Sequence, residues 1–215
     1  MSEDIRKSFK FVSSNLIISC EGKVLNETRL VSQSSFPEPG FIVLSGGDEL
    51  FFNEHVLRFY HYVLDHWKPS EKPIALYFGC SHHKPFSRSF IHMKTIRMLR
   101  KHDLNDFVQQ FIISEPLTVC PREMETAFPA ANYDFPPERL GNEGKKEFVK
   151  RLRIFLCKRA SNTYRYHVIF APNHHKEIFS EASKNLLNPV YVPYNLYQLP
   201  KLLHVLKELK NMSRR

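Results

Sequence analysis

The sequence predicts an α/β protein, a three-layer α/β/α sandwich around a mainly parallel, four-stranded sheet, with a small N-terminal β appendage. Continuous apolar runs such as Ile74-Ala75-Leu76-Tyr77-Phe78 lack the alternation of a half-solvated strand and suit strands buried on both faces. Four apolar strands alternate with helical patterns, and that alternation favours parallel crossovers. The chain has 215 residues, 42% of them hydrophobic, enough for one good core. Residues 1–50 read as the β-rich appendage and residues 51–215 as the α/β core.

In the appendage, short antiparallel strands are expected at residues 15–20, 28–33 and 41–44, separated by Glu21-Gly22, Ser34-Ser35 and Pro37-Glu38-Pro39-Gly40. Gly46-Gly47-Asp48 reads as a turn, since it lacks the lysine and helix of a phosphate cradle. Asn53 suits the N-cap of a helix whose apolar residues Val56, Phe59, Tyr60, Val63, Leu64 and Trp67 share one face, ending before Pro69. His55, His61 and His66 lie along this helix but do not share a face, so they read as surface or edge residues. The strand at 74–78 is followed by a loop and a helix over 89–102, with Ile91, Thr95, Met98 and Leu99 turned inward. A second strand is expected at 107–114, and Pro121 is placed to open a helical first turn. A helix over 145–160 buries Phe148, Leu152, Phe155 and Leu156 and is expected to expose Lys145, Lys146, Lys150, Arg151, Arg153, Lys158 and Arg159, with Glu147 its only carboxylate. Strands at 166–170 and 189–194 and helices at 177–187 and 196–212 complete the chain.

Composition narrows the function. Lys and Arg total 31 against 22 Asp and Glu, a formal charge of +9 with a pI of about 9.4, which suits a polyanionic partner. Lys145, Lys146, Lys150 and Arg153 form the leading phosphate-contacting face. No apolar run approaches the roughly 18 residues of a membrane span, and the first residues do not resemble a signal peptide. A cytoplasmic protein with no membrane association is expected. Cys20, Cys80, Cys120 and Cys157 form no Cys-x-x-Cys pair, as expected for a reducing compartment.

The chemistry concentrates after the strand at 74–78. Ligands of open α/β sheets bind beyond the carboxyl ends of the strands, and Cys80 stands there, before a helix and near Lys84 and several histidines. Positive charge and a helix N-terminus favour a thiolate nucleophile; the alternative is a small buried cysteine. Cys80, His82, His83 and His92 also suit zinc, with His174-His175 a source of a further ligand, although the reading adopted needs no metal and no cofactor. Lys84 and Arg88 would attract an anion. Ser89 and His92, three apart, share a helix face that can look into the crevice. Arg122, Glu123 and Asp134 come from the next loop, where an acid can move protons or hold an amine.

Cys80-x-x-x-Lys84-Pro85-Phe86-x-x-Ser89-x-x-His92 resembles the signature of the archaeosine synthase core domain, and residues 114–125 with Pro129-Ala130-Ala131-Asn132-Tyr133-Asp134 resemble its second block. The resemblance covers roughly residues 53–140. It implies a fold similar to uracil-DNA glycosylases and an archaeal tRNA-modifying activity on 7-cyano-7-deazaguanine. In that activity an amine donor, lysine in the two-enzyme route, adds to the nitrile, and a radical S-adenosylmethionine partner releases archaeosine. Cys80, Lys84, Ser89, His92 and Asp134 are then the expected catalytic residues, and Ser81, Pro85, Phe86, Ser87, Arg122, Glu123 and Asn132 the expected substrate contacts. Gly79 stands where the family has proline, and Phe86 replaces a tyrosine. Transglycosylase-like and PUA domains, which flank this core in full-length members, are not recognisable, so tRNA is expected to be held by the basic helices or by a separate chain. A non-catalytic tRNA-binding subunit and a base-flipping, glycosylase-like hydrolase are the alternatives.

Overall fold

The computed structural model describes residues 43–214 and the backbone of two earlier strands, β1 (Ile17–Ser19) and β2 (Val24–Leu25). The other expectations for the first 42 residues lie outside the described residues. Then follow β3 (Leu44–Ser45), α1 (Glu54–His61), β4 (Ile74–Gly79), α2 (Phe90–Lys101), β5 (Val108–Ser114), β6 (Thr118–Pro121) and β7 (Tyr133–Asp134). The chain continues through α3 (Asn142–Phe155), β8 (Tyr166–Phe170), α4 (Asn173–Ser183), β9 (Val190–Tyr191) and α5 (Leu199–Ser213).

The main sheet has the order β6-β5-β4-β8-β9. Its strands run parallel except β6, which pairs antiparallel with β5. The mainly parallel sandwich is therefore as predicted, with a fifth strand at one edge. That strand escapes sequence reading because it is four residues long and ends on Pro121, which resembles a helix start but is equally tolerated at a sheet edge.

The alternation of β4 creates two cores, since successive side chains point to opposite faces. Ile74, Leu76 and Phe78 pack with Leu99 of α2 and Leu202, Leu206 and Leu209 of α5. Ala75 and Tyr77 face the other layer, formed by α1, α3 and α4 through Val56, Phe59, Phe148, Phe155 and Phe179. All six apolar residues predicted to line α1 and the turn after it are buried, and the Asn53 side chain accepts from His55 N at 3.0 Å.

The small sheet has the order β2-β1-β3-β7, and only its β1–β2 pair is antiparallel. The antiparallel appendage is corrected accordingly: β1 pairs parallel with β3 and β3 parallel with β7. Gly46-Gly47 does lead through a bend, into a 3-10 turn at Asp48–Phe52. The Asp48 carboxylate accepts from Gly141 N at 2.7 Å and Gly144 N at 2.8 Å, meeting free amides at the start of α3.

One exposure is also corrected. Arg151, expected on the solvent face of α3, is 4% exposed, with Nε donating to Glu147 at 2.7 Å and Nη1 to the Phe51 carbonyl at 2.7 Å. Its spacing from Phe148 and Phe155 places it on the inward stripe, where its donors are satisfied.

Candidate active site

Three chain segments converge at the carboxyl end of the parallel strands. The middle one, β4, ends at Gly79 and delivers Cys80, whose amide donates to Ile113 O at 2.9 Å and so prolongs the pairing with β5. On one side β5 ends at Ser114 and delivers Glu115. On the other, β8 is followed by Pro172 and by the first turn of α4, which carries His174 and His175. Glycine at 79 permits the approach: a Cβ there would stand 2.3 Å from Pro172 Cδ and 2.9 Å from His175 Nδ1.

His175 Nε2 and Glu115 Oε2 are 2.9 Å apart in an ion pair whose side chains are each 1% exposed. Burial works against the imidazolium, but the Glu115 carboxylate and then Cys80 outweigh it and lift the His175 pKa to about 10. Burial likewise opposes the carboxylate, yet His175 holds Glu115 below the usual range. Cys80 Sγ lies 3.7 Å from Glu115 Oε2 and 3.9 Å from His175 Nε2. His174 packs on His175 with ring centroids 3.9 Å apart, and its Nε2 is 3.7 Å from Glu115 Oε1, beyond hydrogen-bond reach. Burial, followed by the charge of His175, lowers the His174 pKa. Glu115 Oε1, His174 Nε2 and His175 Nδ1 are consequently buried without a hydrogen-bond partner. The cluster opens into a cavity of about 390 Å³, with Ser81, Lys84, Tyr133, Asp134 and the turn at 135–138 among its walls.

Lys84 is 5% exposed. Its Nζ donates to Ser81 O at 2.6 Å and lies 4.3 Å from the Tyr133 ring centroid and 4.8 Å from that of Phe86. Burial lowers its pKa, opposed by the negative groups around it. Tyr133 meets Ser114 through a bond between their hydroxyls, and burial pushes its phenol well above the ordinary value.

Of the sequence-predicted residues, Cys80, Ser81, Lys84 and Asp134 line this cavity. Pro85, Phe86 and Ser87 form the return of the loop, with Phe86 fully buried and Ser87 N donating to Glu125 Oε2 at 2.9 Å. Ser89 is the buried N-cap of α2. His92 lies under the loop, Nε2 donating to Gly79 O at 3.0 Å and Nδ1 accepting from Arg122 Nη2 at 2.8 Å, so neither nitrogen is open to a substrate. Burial, then Arg122, depresses its pKa to about 3. Arg122 also binds Glu125 and Gln110. Because β6 runs back along β5, Glu123 stands at the far end of the sheet, accepting from Trp67 Nε1 at 2.9 Å and Gln109 Nε2 at 3.0 Å. Asn132 is buried, and its carbonyl accepts from Leu44 N.

On α3, Lys145 and Lys146 are exposed beside a shallow groove shared with Asn142, Val149 and Glu181. Lys150 pairs with Glu147 at 3.2 Å, and Arg153 donates to the carbonyls of Ala182 and Lys184. The sequence did not single out Glu115 or Tyr133 for a role and offered His175 only as an added metal ligand. The available signal was position: Glu115 follows the end of β5, His175 lies in the first turn of the helix after β8, and Tyr133 opens β7. Among the described residues, no helix is long and apolar enough to cross a membrane.

Two curated relatives are similar to this chain. Archaeosine synthase subunit alpha of Thermoplasma acidophilum is 31% identical over 140 residues, which are 65% of this chain and 27% of that protein. Archaeosine synthase subunit alpha of Methanosarcina acetivorans is 30% identical over 145 residues, 67% of this chain and 22% of that one. The chain thus spans about a quarter of the length of these relatives. A solved structure, the crystal structure of AF0587, a protein of unknown function, shares the fold with a TM-score of 0.51 at 22% identity, over 69% of this chain and 49% of that one. A family model described as a domain of unknown function, DUF5591, matches residues 56–199. With more than half of its length matched, and with the motif loops and the converging strand ends inside the matched stretch, the chain belongs to the DUF5591 family.

Proposed function

We propose that this chain is an archaeosine synthase-type transferase, which adds an amine donor, lysine first among them, to the nitrile of 7-cyano-7-deazaguanine in tRNA. The observation that carries the reading is Cys80 lining a cavity of about 390 Å³ together with Lys84 and Asp134, its Sγ beside a buried His175–Glu115 ion pair. The resemblance of the two motif blocks and the names of the two relatives support the substrate class.

The chemistry balances as two additions. The Cys80 sulfur attacks the nitrile carbon and forms a C–S bond, while the thiol proton passes to the nitrile nitrogen, giving a thioimide. The His175–Glu115 pair is within reach to relay that proton, as imidazolium giving one and then receiving one. The donor amine then attacks the same carbon, the C–S bond breaks, and one amine proton returns to sulfur, leaving a substituted amidine. Asp134 receives the role of holding the amine or taking its proton. Lys84, which lines the same cavity, donates to the nitrogen on which negative charge develops. Ser89, His92 and Arg122 position the loop; Ser81 lines the cavity, and the buried Phe86 ring packs against Lys84. A radical S-adenosylmethionine enzyme would act on the product.

The test is mass analysis of nucleosides from tRNA bearing the nitrile base after incubation with the purified chain and lysine. A lysine adduct is expected, lost in Cys80→Ala with the fold retained by circular dichroism. An adduct still formed by that variant would remove Cys80 as the nucleophile. A second reading, a tRNA-binding subunit completed by a separate PUA or transglycosylase-like chain, is favoured by the exposed Lys145 and Lys146 on α3. It predicts tRNA binding without an adduct until that chain is added.

A further inference from the structure

We infer that Cys80, Glu115 and His175 form a site for a zinc-class divalent cation, with His174 beside it, and that the loaded form withholds Cys80 from addition chemistry. The regulatory half rests on the transferase reading; the binding half rests on geometry alone.

The donors fit by type and by spacing. A thiolate and imidazoles are the ligands zinc prefers, and a carboxylate completes such sets, whereas calcium and magnesium require more oxygen donors than the single carboxylate here. Zinc lies about 2.3 Å from sulfur and about 2.0–2.2 Å from nitrogen or oxygen, so tetrahedral ligand pairs stand about 3.3–3.6 Å apart. Cys80 Sγ is 3.7 Å from Glu115 Oε2 and 3.9 Å from His175 Nε2. The His175–Glu115 contact, at 2.9 Å, is shorter because a proton lies between the two atoms. A cation replaces that proton and the thiol proton, with shifts of about 0.5 Å.

A second observation points to the same occupant. Glu115 Oε1 belongs to a side chain 1% exposed and has no hydrogen-bond partner; His174 Nε2, 3.7 Å away, has none either. Buried polar atoms are seldom left so, because each keeps the full cost of its lost hydration unless an unseen partner satisfies it. A cation held by Cys80, Glu115 and His175 supplies the partner that the carboxylate lacks, and His174 stands beside it, next to Glu115 Oε1. His92, which the sequence offered for such a site, has both nitrogens engaged elsewhere.

Cobalt(II) is the probe, added to reduced, chelator-treated protein. The expected result is saturable binding with a thiolate-to-cobalt charge-transfer band and the intense visible bands of four-coordinate cobalt, displaced by zinc. Cys80→Ser should lose the charge-transfer band, His174→Ala, at the cavity rim, should weaken affinity with the fold intact, and Cys157→Ser should change neither. Zinc should slow iodoacetamide labelling of Cys80, located by peptide mapping, by at least about tenfold, because coordination removes the free thiolate. Absence of the charge-transfer band in the wild type, or its persistence in Cys80→Ser, overturns the inference. A chain that forms the lysine adduct but shows no cobalt spectrum overturns the metal site alone; the converse overturns the transferase reading alone.

Discussion

Replacing Glu115 by glutamine removes the charge that keeps the His175 imidazolium in a site where both side chains are 1% exposed. The folded pKa of His175, about 10, lies above the ordinary 6.5. A group shifted this way stabilises the fold fully below its unfolded pKa and loses that contribution as pH rises to the folded one. The window therefore runs from 6.5 to about 10. Within it each pH unit removes at most about 1.4 kcal/mol, and the total is on the order of 3–5 kcal/mol, the cost of breaking a buried ion pair by removing one partner. Urea unfolding across this window should show the wild type losing stability steadily, while Glu115→Gln starts lower by a similar amount and the two converge near the upper limit. Taking the difference between the two proteins cancels the other titrating groups. Toward acid the sign reverses: Glu115, held below the usual carboxylate range, contributes above its unfolded pKa and loses that contribution as pH falls through its folded one. A difference between wild type and variant that stays constant from 6.5 to about 10 would refute the ion pair as the source of the shift.

Other perturbations separate the remaining contacts. Gly79→Ala places a methyl 2.3 Å from Pro172 Cδ and should cost about 1–3 kcal/mol in urea unfolding, the usual penalty of an overpacked site. Arg151→Met strands the buried Phe51 carbonyl and should cost about 1–3 kcal/mol, whereas Lys150→Met, at a side chain 67% exposed, should change stability by less than about 0.5 kcal/mol. Lys145→Ala and Lys146→Ala should weaken tRNA binding and flatten its salt dependence by about 0.7–0.9 in slope for each lysine that contacts phosphate. Filter binding at several salt concentrations checks this, and an unchanged slope removes the groove from the RNA surface.

What the sequence could disclose follows from how local each signal is. The strand at 74–78 and the face of α1 are legible because burial on two faces or along one stripe leaves a period in the residues themselves. Cys80 is legible for the same reason, since it follows the most apolar strand. Glu115 and His175 are not, because they lie 35 and 95 positions from Cys80 and meet it only through the order β5-β4-β8. Ser89 and His92 do share a face, as their spacing requires, but the α2 axis directs that face at the Gly79 carbonyl. Periodicity states which residues lie together on a helix, not which way the helix is turned.

The wall that carries Asp134 shows how far the core reaches beyond the main sheet. β7 brings Tyr133 and Asp134 beside Leu44 and Ser45 in parallel register, and the Tyr133 hydroxyl meets Ser114 at the end of β5. Leu44, Leu50 and Phe51 are fully buried in the same apolar cluster as Tyr77 and Phe148. Asp48 and the Phe51 carbonyl tie this stretch to α3 through Gly141, Gly144 and Arg151. These contacts cross residue 50, and we propose that residues 43–50 belong physically to the α/β core. The cavity then has one wall from the parallel strand ends and another from a short two-strand junction. Asp134 reaches the cavity only while that junction holds its register, because a one-residue slip in a strand exchanges the faces of its side chains. Substrate contacts on this wall therefore depend on packing at Leu44 and Tyr133 as directly as Cys80 depends on β4.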